Sequence, residues 1–177
     1  MPPAQMPLPA RPPRRPWGAA VLVSAWFLGS PPLPAQALRS AHFADPMLQV
    51  SAGLPGCPAP AVPTQTEAEA REETHWRAER GTSCYRSGRC RLPNAYLYDA
   101  EIIPRVRQFI QQDGRFEHSS IWVLGQRRWV FVMGCVGSAE QGRALEQAIQ
   151  NVDDVEAVVG QWMVGVDGPP PYPEAGP

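Results

Sequence analysis

Lysine is absent from this chain of 177 residues, so all 16 basic side chains are Arg. Compositional bias of GC-rich coding sequence explains that without a functional demand for guanidinium. An excess of positive charge is missing too, since the formal net charge is −1. A chain that captures DNA or RNA needs a basic face to displace counterions, so a nucleic-acid partner is set aside. Histidine is sparse, and His42, His75 and His118 are scattered. No nucleophile elbow, phosphate loop or paired metal motif occurs. Asp153-Asp154 reads as a helix-to-strand turn before acid/base or calcium chemistry. No catalytic residue, cofactor or metal site is assigned, and the chain is expected not to be an enzyme.

Proline is abundant at 22 residues, most of them towards the two ends. Proline removes amide donors and breaks regular elements, so the packed fold is expected within about residues 95–165. The start reads as an export leader over residues 1–37. Arg11, Arg14 and Arg15 form a positive region, Trp17 to Leu28 an apolar run, and Ala35-Gln36-Ala37 an A-x-A cleavage site. A dozen apolar residues fall short of the ~20 that span a bilayer, which disfavours an uncleaved anchor. Cleavage there would remove three arginines, take the net charge to −4 and leave the protein in the periplasm or on the periplasmic side of the envelope.

Cys57, Cys84, Cys90 and Cys135 all follow that site. An even count in an exported chain suggests disulfides. Ser87-Gly88 can turn the chain between Cys84 and Cys90, which leaves Cys57 with Cys135. Three connectivities are possible, and this one is the preference. Zinc wants closer ligand pairs than C-x5-C, and a redox pair is usually C-x2-C. Leu54-Pro55-Gly56-Cys57 superficially resembles a lipobox, but no continuous apolar run leads into it.

Residues 38–98 read as a proline-rich arm, a short charged helix capped by Thr66 and ending near Gly81, and the cysteine-bridged loop. Asp99 is the expected N-cap of a second helix. Its buried stripe is Ile102, Ile103, Val106, Phe109 and Ile110, with Pro104 near its first turn and Gly114 at its end. Two β-runs, Ser120–Leu124 and Arg128–Val136, are separated by Gly125-Gln126-Arg127. Ser138 then caps a helix with Gln141 at the reciprocal position, and Val155–Val164 supplies a third strand. The predicted class is α+β, with an αββαβ unit, three strands and both helices on one face. Residues 166–177 read as a disordered or extended proline-rich tail.

This order, together with Val130, Val132, Gly134, Val136 and Ser138, then Arg143, Ala144 and Ala148, then Val152, Val155 and Val158, resembles the BON domain (bacterial OsmY and nodulation). The likeness covers roughly residues 99–165. Asp154 stands where the family usually has glycine. The resemblance implies a periplasmic or outer-membrane protein that binds phospholipid or supports envelope integrity, with no catalytic residues to carry over.

Strand parity puts Trp129, Phe131, Met133 and Cys135 opposite the valines, joined by Trp122, Leu124, Val159 and Met163. Both sheet faces therefore need cover. The expectation is that the 38–98 extension packs on the second face, tied by Cys57–Cys135. The rival is a partner or membrane docking there. Gly134 is expected to let a helix approach. Arg127, Arg128 and Trp129 suit a lipid headgroup surface, where Arg pairs with phosphate and Trp sits at the interface, or else form a solvated turn before a core Trp. The leading function is an envelope module binding phospholipid or another envelope component. The alternatives are a protein-interaction subunit and, behind it, a thiol redox protein. Oligomeric state is left open.

Overall fold

The computed structural model describes Phe43 and residues 45–176. The expected leader and its cleavage site lie outside them, as does His42. The described elements are β1 (Met47–Ala52), α1 (Glu67–Glu79), α2 (Thr82–Arg86), a 3-10 turn (Ala95–Tyr98), α3 (Asp99–Asp113), β2 (Ser119–Gln126), β3 (Trp129–Val136), α4 (Ala139–Gln150) and β4 (Ala157–Val164). The α+β class and the αββαβ order hold. The sheet has four strands in the order β1-β2-β3-β4, so the three-strand expectation is corrected. The extra strand comes from the arm. Met47–Ala52 pairs antiparallel with β2 through a bulge between Gln49 and Ser51. Its apolar alternation is short and flanked by prolines, so it did not stand out as a strand.

β2 and β3 form an antiparallel hairpin in which Gln126 faces Trp129. That register leaves Arg127-Arg128 as a two-residue turn, with φ of 52° and 71°. Both residues are left-handed, as a type I′ turn requires. The turn begins two residues later than the expected Gly125-Gln126-Arg127, because β2 continues through Gln126. The chain then crosses through α4 to β4, which lies parallel to β3.

Both long helices pack on one sheet face. Ile102, Ile103, Val106 and Ile110 of α3 and Leu145, Ala148 and Ile149 of α4 cluster with Ile121, Val123, Val130, Val132 and Val136. Most of these side chains have no solvent exposure. Burying each large aliphatic group stabilises the fold by about 1.5–3 kcal/mol relative to leaving it exposed. Phe109 departs from the predicted stripe and is 41% exposed. Pro104 lies in the second turn of α3, since the 3-10 turn runs directly into the helix. The carbonyl that its missing amide orphans belongs to the exposed Ala100, where water can satisfy it.

Two glycines divide the role that the sequence reading gave to one. A Cβ on Gly125 would sit 2.7 Å from Ile103, so this is where the helix meets the sheet closely. Gly134 has φ of 131°, and a Cβ there would meet the Ser120 carbonyl oxygen at 2.0 Å. Its glycine serves the neighbouring strand rather than a helix, which corrects the expectation.

The second face is closed by two strips of chain. Tyr172 packs on Leu124 and Met133, with Met47 and Phe131 beside them. The Tyr172 hydroxyl donates to the Pro58 carbonyl at 2.7 Å. The Ala61 amide donates to Pro173, and the Ala175 amide to Ala59. Pro60 and Glu174 form an antiparallel bridge. Residues 166–176 therefore pack in part onto this face, through Tyr172 and the bridge at Glu174. The extension does reach this face, but shares it with the tail and lends β1 to the sheet edge. Cys57 and Cys135 lie at disulfide distance, S–S 2.05 Å, and join the arm to β3. Trp122, Phe131, Val159 and Met163 remain half-buried.

Candidate functional site

The hairpin turn is held from beneath by a buried carboxylate. Asp99 is 1% exposed, and its two oxygens accept the Arg127 amide at 2.6 Å and the Arg128 amide at 2.7 Å. Burial pushes this carboxyl up to about 6, against the opposing pull of the two amide hydrogen bonds. Asp99 was expected to cap its own helix. Tyr98 occupies that cap position in a helical conformation with no side-chain hydrogen bond. The 3-10 turn has already delivered the chain helically, which leaves the Asp99 carboxylate free to serve the hairpin. Ser138 does cap α4, accepting the Gln141 amide at 3.1 Å. Gln141 reaches one residue further back than a capping box would, accepting from the Gly137 amide.

A cleft of about 340 Å³ opens beside that turn, lined by Arg80, Gly81, Cys84, Cys90, Leu92, Ala95, Tyr98, Arg127, Arg128, Trp129 and Glu156. Most of its lining comes from three places, with Glu156 added from the segment before β4. The hairpin supplies Arg127, Arg128 and Trp129, and the 3-10 turn supplies Ala95 and Tyr98. The end of α1 and the following loop supply Arg80 and the Cys84–Cys90 pair, whose sulfurs lie 2.00 Å apart. Gly81 makes this junction possible. It has φ of 88°, and a Cβ on it would meet the Ala95 amide nitrogen at 2.9 Å. The Ala95 amide donates in turn to the Arg80 carbonyl at 2.9 Å.

The guanidinium groups here are ordered by rings rather than by carboxylates. Arg127 lies 4.4 Å from the Trp129 ring centroid, and Arg128 lies 4.9 Å from that of Tyr98. Arg128 also donates through Nε to the Asp154 carbonyl at 2.9 Å. Elsewhere arginines are neutralised: Arg77 by Asp45 and Glu73, Arg91 and Arg105 by Glu101 and Asp154, and Arg143 by Glu140. No ion pair among the described residues involves Arg80, Arg127 or Arg128. Arg86 and Arg89 on the adjoining loop share that condition. Glu156 is the single carboxylate of the lining. Such a cleft can attract an anion and offer it several N–H donors. Among the described residues no cluster of His, Cys, Asp and Glu could hold a metal ion.

Arg127, Arg128 and Trp129 are thus brought together at one end of the sheet. Val130, Val132 and Val136 lie in the helix-side core, with Val155 and Val158 packed at its border. Asp154, at the usual glycine position, has φ of 71°. Asp tolerates that left-handed region better than most side chains. Burial would raise its carboxyl, but hydrogen bonds from Arg105 and Arg91 outweigh this and hold it below the ordinary carboxylate range. The acid thereby acquires partners that a glycine could not have. Arg80 and Tyr98 went unnoticed in the sequence. The signal available was Arg-Gly after a charged helix, which fixes a helix end but says nothing of what faces it.

No helix among the described residues is long and apolar enough to cross a membrane. Comparison with curated proteins and with solved structures returned no match. Residues 98–164 match the family model described as the BON domain, a span that begins at the cleft residue Tyr98 and takes in α3, the hairpin, α4 and β4. The chain is therefore a BON domain-containing protein.

Proposed function

We propose that this protein is a non-enzymatic binding module of the bacterial cell envelope, working in the periplasm after loss of its leader, and that its hairpin end engages phospholipid. BON domains are associated with phospholipid-binding envelope proteins, and the family is generally non-enzymatic. The observation that carries the reading is the group of carboxylate-free arginines, Arg80, Arg127 and Arg128, beside Trp129 at one end of the sheet. Near an anionic membrane surface each such residue contributes about 1 kcal/mol, and Trp favours the interfacial layer. The net negative charge does not oppose this, because the cleft lining carries three arginines against one carboxylate, Glu156.

Vesicle co-sedimentation tests it. Binding to vesicles containing phosphatidylglycerol is expected at low ionic strength, weakening as salt screens the charges. Absence of sedimentation at low salt would overturn it in favour of the second reading, a protein-interaction subunit. The half-buried Trp122, Phe131, Val159 and Met163 on the outer sheet face favour that alternative.

A further inference from the structure

We infer that the cleft is a specific site for a phosphate ester, in the form of a glycerophosphate headgroup, and that the extension before the BON domain builds half of it. This deepens the membrane reading and rests on it for the source of the ligand. A generic basic surface would need only the hairpin arginines. The structure does something more selective. Arg80, the C-cap residue of α1, lines the same concavity as the hairpin arginines although it lies remote from them in sequence. Gly81 and the Ala95 amide fix that approach at the backbone, and the Cys84–Cys90 loop forms the wall between.

The volume, about 340 Å³, falls at the small end of ligand sites, which begin near ~300 Å³. A phosphate with a short polyol fits that size, whereas a folded protein surface does not enter it. Guanidinium groups match phosphate oxygens with paired N–H donors. Two of the three are already restrained by ring contacts, which lowers the ordering cost of binding. Glu156 can accept from a hydroxyl of the same headgroup while repelling a second phosphate. The 98–164 unit contains the hairpin but lacks Arg80, Cys84 and Cys90. The extension therefore converts a charged corner into a pocket.

The test uses the full chain and the Arg80→Ala variant. Arg80 is exposed, and its side chain makes no hydrogen bond or ion pair among the described residues, so the substitution leaves the fold intact. Glycerol 3-phosphate is titrated while the Trp129 indole N–H resonance is followed. A saturable shift is expected, with affinity about tenfold weaker in Arg80→Ala, the scale of one charge-assisted contact. Arg127→Lys, which keeps charge but loses the paired donors, should fall between the two. Both chains are then compared on the same phosphatidylglycerol vesicles, so that association through any other segment cancels.

No saturable shift, or equal affinity in the variant, would overturn the inference. So would capture of an acidic peptide in preference to glycerol 3-phosphate. Unchanged vesicle binding by Arg80→Ala overturns the cleft and leaves the membrane reading standing. Saturable glycerol 3-phosphate binding without vesicle association does the reverse, upholding the cleft with a soluble ester as its ligand.

Discussion

In the BON unit, α3 and α4 bury Ile102, Ile103, Val106, Ile110, Leu145 and Ile149 against the sheet, whereas α1, of similar length, buries no residue at all. The difference is one of physics. The unit is held by apolar area, and α1 by a few polar fasteners. Thr66 and Glu69 cap α1 reciprocally. Arg77 then anchors it, donating to both Asp45 oxygens at 2.7 and 2.6 Å and lying between the rings of Phe43 and Tyr96 at 3.8 and 4.1 Å. An element fastened at points can be changed without rebuilding a core. That freedom explains how a region outside the domain comes to line its cleft.

The largest way to sharpen this contrast is to cut the two bridges separately. Cys57–Cys135 closes 78 residues and joins the arm to a central strand. Replacing both by Ala should lower global stability by about 4 kcal/mol, on chain-entropy grounds, in urea unfolding at neutral pH. The Cys84–Cys90 loop closes only 6 residues, so its loss should cost about 2 kcal/mol or less. Equal losses for the two pairs would break the distinction.

Asp99 comes next, because it joins the two regimes inside the unit. Asp99→Ala leaves two turn amides without acceptors and should cost about 2–4 kcal/mol, read by thermal unfolding. Its carboxyl is shifted upward, from 3.8 to about 6, so the folded protein keeps this proton after the unfolded chain has lost it. The stability this group contributes is thus fully present below about pH 4 and is lost as pH rises through 6. The Arg127 and Arg128 amide resonances should titrate together with a midpoint near 6. A flat response between pH 5 and 7 would sink the assignment.

The smallest effect concerns Arg77. Arg77→Gln should free α1 locally, speeding amide exchange over residues 67–79 while α3 and α4 keep their protection. The global loss should stay near 1 kcal/mol. Loss of protection in α3 would show that the extension is part of one cooperative core after all.

These two regimes also set what the sequence could disclose. The valine alternation of β3 and the spacing of Ile102, Ile103, Val106 and Ile110 are repeated signals, and the class, the order and the helix-bearing face followed from them. The two-sided apolar character of β3 foretold cover on its outer side. The identity of the cover was hidden, since Tyr172 is a single aromatic in a proline-rich run. β1 offered too few alternations. The arginines at 127 and 128 were visible as neighbours, but Arg80 lies remote in sequence, and its place opposite them depends on Gly81 and on the course of the loop. Pairing between distant charges leaves no periodic trace. The gathering of three arginines without ion pairs in one cleft was therefore invisible from composition.

The Pro60–Glu174 bridge has a consequence for biogenesis. A polypeptide that emerges from a ribosome or a translocation channel with its N-terminus first presents Leu124 and Met133 before Tyr172 exists. Until that tyrosine arrives, the growing chain shows a sticky sheet surface to its surroundings.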